Sequence, residues 1–135
     1  MFRIMMSFIV LLSLDMLWIS VIAKDAYFRA YGHILRLENG QLRPIWWAVL
    51  LVYVALVGGL NYFAFNTEAQ STRAILTHAF IFGVVVYAVY DFTCLALFKD
   101  WPILMTMLDC IWGGVLCGLS AFITLKLETW WFKLF

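Results

Sequence analysis

Four apolar runs dominate the chain, each close to the roughly 20 residues that a helix needs to cross a bilayer. They cover about Ile4 to Ala23, Ile45 to Phe65, Ile75 to Phe98 and Pro102 to Leu125. Lys24-Asp25 closes the first, and Pro44 opens the second where a proline suits the first helical turn. Arg73 and Lys99-Asp100 bracket the third, and Lys126 follows the fourth. Composition agrees for a physical reason. Only 13% of the 135 residues are charged, about half the share of an average globular chain. So few charges cannot cover a soluble domain of this size. This excludes an ordinary soluble enzyme and a secreted disulfide scaffold. A net charge of +1 with no basic stripe also excludes a nucleic-acid partner. The expected fold is all-α, a four-transmembrane-helix bundle forming a single integral membrane domain over residues 1–135, with both termini on the same side. The first run has the length of a signal peptide, but Asp15 lies within it and no suitable cleavage site follows, so it is read as a retained helix.

Let side A be the face holding the N-terminus, and side B the other. Side B then carries the Lys24–Arg43 segment and the Lys99–Trp101 turn. Basic residues divide five to side B and four to side A, which sets no orientation. Trp46, Trp47 and Trp101 fall at side B and Trp130 and Trp131 at side A, as amphipathic rings prefer the interface. Trp18 and Trp112 lie inside spans and need another explanation. In the 25–43 segment, Tyr27, Tyr31, Ile34, Leu35 and Leu37 have the spacing of one helix face, opposite Arg29 and Arg36. This predicts a short helix lying on the membrane surface; alternatively the first helix continues to Gly32. Thr67–Arg73 reads as a polar surface loop. Cys94, Cys110 and Cys117 sit in apolar runs and read as packing residues.

The chemistry rests on Asp15, Asp91 and Asp109. An aspartate in mid-membrane costs about 2.5–3.5 kcal/mol on the lenient insertion scale and normally faces a partner or a cavity. At 1.5 Å per residue, Asp15 lies about 13 Å and the other two about 10 Å from the side-B boundary. Three helices thus present a carboxyl at nearly one level. No basic residue lies at that level, so ionised together they repel. Trp18 follows Asp15 by three residues and Trp112 follows Asp109 by three. An indole donor and a carboxylate acceptor satisfy each other, within a helix or across an interface.

Tyr87, Asp91 and Cys94 form one stripe of the third helix, with Tyr90 beside it, and Thr106, Asp109, Gly113 and Ser120 form one of the fourth. Gly114, Gly118 and Ala121 have the small-residue spacing at which helices approach closely, meeting a neighbouring helix or a second copy. The leading reading is a site that binds or modifies a lipid-like or other apolar small molecule. Asp91, Asp109 and Asp15 supply its acid–base groups, and Trp18, Trp112, Tyr87, Tyr90 and Cys94 line it. Two alternatives stand beside it: a small proton- or cation-coupled transporter acting as a homodimer, and a structural protein whose aspartates only fix helix packing. Three carboxylates suit a hard cation, but no histidine accompanies them, so neither a metal nor a cofactor is expected. The expected partners are membrane lipids, the apolar ligand and a second copy.

Four segments together resemble a known family. They are Leu14-Asp15-Met16-Leu17-Trp18, the stretch from Gly83 through Tyr87-Ala88-Val89-Tyr90-Asp91-Phe92-Thr93-Cys94-Leu95-Ala96, then Trp101-Pro102, and Asp109-Cys110-Ile111-Trp112-Gly113. The pattern is similar to that of a bacterial family of predicted four-helix membrane proteins of unknown function. Cys94 departs from it, standing where the family has asparagine. The resemblance implies a multi-pass protein of the bacterial cytoplasmic (inner) membrane whose signature includes these aspartates, and it implies no particular reaction.

Overall fold

The computed structural model describes residues 1–66 and 71–134. Five α-helices carry the fold: α1 (Phe2–Leu17), α2 (Lys24–Tyr31), α3 (Trp46–Leu60), α4 (Thr72–Leu97) and α5 (Ile103–Leu134). With the π-helical turns that extend them, α1 and α3 run to Ile22 and Phe65, and four segments are then long and apolar enough to cross a membrane. The described part of the expected Thr67–Arg73 loop begins at Ser71; positions 67–70 lie outside the described residues.

Local chemistry sets the ends. The Ser71 hydroxyl accepts from the Ala74 amide at 3.2 Å and caps α4. At the other end Phe98 is extended and Asp100 takes a positive φ of 60°, a conformation aspartate tolerates better than most residues. The chain turns there, and Pro102 precedes α5. That helix runs past the expected end near Leu125 to Leu134. Lys126 and Glu128 do not stop it, because both are good helix formers. Arg3 of α1 meets Glu128 at 2.9 Å, and the Phe2 and Trp131 rings stack at 5.1 Å. These contacts put the start of α1 beside the last turns of α5.

Only the first part of the 25–43 segment forms the expected short helix. α1 widens into the π turn Trp18–Ile22 and breaks at Ala23 (φ −102°, ψ 1°), so it does not continue to Gly32. A separate α2 follows, and it buries Tyr31. Beyond it, Leu37–Glu38 (β1) pairs antiparallel with Gln41–Leu42 (β2). Asn39 and Gly40 both have positive φ, 52° and 74°, the requirement of the two-residue turn that Asn-Gly favours. That local signal overrides the apolar spacing of Ile34, Leu35 and Leu37.

The core is apolar around Leu11, Leu56, Leu60, Leu116 and Ala121, all buried. α4 and α5 cross at their glycines. A Cβ on Gly83 would overlap the Gly113 carbonyl, and one on Gly113 would meet the Tyr87 ring. Gly114 packs on Val84 and Phe80 of the same α4, whereas Gly118 is only in ordinary contact with Phe80.

Candidate functional site

α1, α4 and α5 each bury an aspartate, but the three occupy different environments. Asp15 is fully engaged. The Tyr53 hydroxyl of α3 donates to its Oδ2 at 2.8 Å, and the Trp112 indole of α5 donates to its Oδ1 at 2.9 Å. The Trp112 ring stacks on Trp18, with centroids 4.2 Å apart and planes 8° from parallel. Trp112 therefore crosses to the aspartate of α1 and not to Asp109 on its own helix. The Trp18 indole faces the Tyr27 hydroxyl without a well-formed hydrogen bond.

Asp109 accepts a hydrogen bond from the Tyr27 hydroxyl of α2. Burial foremost, and then this bond, hold the Tyr27 phenol above its ordinary range, so Tyr27 acts as a neutral donor. Tyr31, one turn on, is also raised, first by burial and then by the charges of Asp109 and Asp91.

Asp91 is 1% exposed, and neither of its oxygens accepts a hydrogen bond among the described residues. The Trp101 indole faces it but bonds to Thr106 Oγ1 at 3.2 Å. Both ion pairs among the described residues, Arg3–Glu128 and Arg43–Glu38, lie away from the three carboxylates. Nor do three or more His, Cys, Asp or Glu side chains among those residues converge as a metal site would require.

α2 and the chain after it lie over one end of the bundle and enclose a cleft of about 730 Å³. Tyr27, Tyr31, Tyr90, Cys94, Trp101 and Asp109 line it, with His33, Lys99 and Asp100 also on its wall. Its aromatic wall is continuous: Tyr31 lies 4.8 Å from Trp101, and Tyr90 meets the same indole edge-on at 6.4 Å. A hollow of about 560 Å³ beside Thr72, Leu76 and Phe80 is walled by α4 alone and holds no buried polar group.

Among the residues singled out from sequence, Asp109, Tyr90 and Cys94 thus reach this cleft. Asp91 lies beside it, behind Trp101. Asp15, Trp18 and Trp112 form a layer further in, and Tyr87 packs on Gly113. Tyr27, Tyr31, Tyr53 and Trp101 join the site without having been assigned to it. For Tyr27 and Tyr31 the available signal was their four-residue spacing beside a span end. For Tyr53 it was a polar-tipped ring in the middle of a span.

Four membrane-length helices around buried carboxyls define a multi-pass α-helical membrane protein with an internal polar site. The chain belongs to the family described as Predicted membrane protein (DUF2177), whose family model matches residues 1–126. Neither the curated proteins nor the solved structures include a match to it.

Proposed function

We propose that this is a protein of the bacterial cytoplasmic membrane that binds a lipid-like molecule in the cleft under α2, with Asp109 and Tyr27 as the proton-handling pair against it. The observation that carries this reading is the cleft itself. It combines about 730 Å³ of volume, aromatic and aliphatic walls and one buried carboxyl whose partner is a neutral phenol. Ligand sites have this character, mostly apolar with few convergent polar groups. The phenol bond orients the Asp109 carboxyl, which is then placed to exchange a proton with the polar end of a bound molecule. Asp15 has a different part. With two donors from two other helices, it ties α1, α3 and α5 together.

Mass spectrometry of small molecules retained in mild detergent tests the proposal, comparing wild type with Asp109→Asn and Tyr90→Ala after each is shown to be folded. The reading expects a discrete lipid-like species in wild type that Asp109→Asn loses and Tyr90→Ala retains in smaller amount. The same bulk lipids in all three preparations would overturn it.

A further inference from the structure

The walls of the cleft carry buried polar atoms without partners, most of them acceptors. Tyr31 is 6% exposed and lines the cleft, yet its hydroxyl makes no hydrogen bond among the described residues. Asp91, behind Trp101, has two unpartnered oxygens, and Asp109 has the Tyr27 hydroxyl as its one side-chain donor among the described residues. A buried acceptor without a donor is costly, about 1–3 kcal/mol and more for a charged group. No side-chain cation pairs with these groups either: Asp109 and Asp100 on the wall and Asp91 behind it are in no ion pair among the described residues. Around them stand the faces and edges of Tyr31, Tyr90 and Trp101, and aromatic faces attract cations once water is excluded.

An anionic head brings further acceptors and no donor to Asp109 and Asp91. A neutral alcohol would supply a single donor for several acceptors. A primary ammonium brings three N–H donors for these acceptors and a cation for the aromatic faces. We propose that the cleft recognises an amphiphile headed by a primary ammonium group, held between Asp109, the Tyr31 hydroxyl and the aromatic wall, with its apolar body along Ile34, Leu35 and Phe98. This deepens the cleft reading above and rests on it. The ammonium could be borne by a free alkylamine or by the headgroup of an aminophospholipid, and the chemistry is shared.

Calorimetric titration of the purified protein in non-ionic detergent separates the classes, with hexylammonium, hexanoate and hexanol as probes of equal chain length. Hexylammonium should bind at least tenfold more tightly than the other two. Asp109→Asn should abolish that preference. Tyr90→Ala removes a ring that is 61% exposed and, once shown to be folded, should weaken hexylammonium binding about two- to fivefold. Preferential binding of hexanoate or hexanol would overturn the ammonium inference while leaving the cleft as a ligand site. Absence of binding by all three probes, together with no retained lipid, would overturn both. To identify the source, the protein is taken from bilayers of phosphatidylethanolamine or of phosphatidylglycerol and its retained lipid is counted. Selective retention of the former assigns the ammonium to a lipid head; hexylammonium binding with equal retention assigns it to a free amine.

Discussion

The Trp112 indole on α5 donates to the Asp15 carboxyl on α1 at 2.9 Å, and the flat of the same ring lies on Trp18, less than one turn further along α1. One side chain therefore fixes both the depth and the rotation of α1 against α5. The Tyr53 hydroxyl brings α3 to the same carboxyl. Three helices meet at a single buried group, beside the apolar core of Leu11, Leu56 and Leu116.

Trp112→Phe keeps an aromatic ring and removes the donor. Hydrogen bonds between membrane helices average about 0.6 kcal/mol, but leaving a buried acceptor unsatisfied costs about 1–3 kcal/mol. The expected loss is therefore about 1–2 kcal/mol, read from unfolding in mixed detergent micelles. Tyr53→Phe should lose a similar amount. The double variant should be non-additive, since both donors serve one carboxyl. Additive losses would show the two bonds to be independent.

The α4–α5 crossing predicts a sharp contrast among glycines. Gly83→Ala drives a Cβ into the Gly113 carbonyl, which is backbone and cannot rotate away. It should destabilise by more than about 3 kcal/mol or prevent folding. Gly118→Ala meets Phe80 at 3.8 Å, an ordinary contact, and should stay within about 0.5 kcal/mol of wild type. Thermal unfolding of the two variants in detergent measures the difference.

Alkaline pH tests the Tyr27–Asp109 bond. Burial and the carboxyl raise the Tyr27 phenol above its ordinary value of about 10. The stability this contributes is fully present below that pH. It is lost as pH rises, because the unfolded chain ionises its tyrosine first. The unfolding midpoint should fall from about pH 10 upward, and Tyr27→Phe should flatten part of that fall. Tyr31 is raised as well and keeps part of the remainder.

Most of the helical architecture was legible because each span is a continuous apolar run, a signal carried by some 20 neighbouring residues at once. The break at Ala23 was not. It follows a π turn that no proline or glycine marks. The hairpin was signalled only by Asn39-Gly40, two residues within a segment whose apolar spacing also fits a helix. Asp109 was found because a charge within an apolar run stands out locally. Its partner Tyr27 was placed on a surface helix, since an amphipathic tyrosine there is equally at home at the lipid boundary. Only the fold of α2 over the end of the bundle turns it inward. Asp15 and Asp109 looked equivalent, each with a tryptophan three residues later, and Trp112 serving Asp15 is a relationship between helices that spacing along one helix cannot reveal.

Photo-crosslinking addresses the central claim, that the cleft under α2 holds a specific molecule. Benzoylphenylalanine is placed at Tyr90, on the cleft wall, and separately at Leu51 of α3, which is 58% exposed and away from the cleft. After illumination in native membranes, intact-protein mass spectrometry should show one discrete adduct from position 90, abolished by Asp109→Asn, and a spread of bulk lipids from position 51. The same lipid spread from both positions would contradict the account.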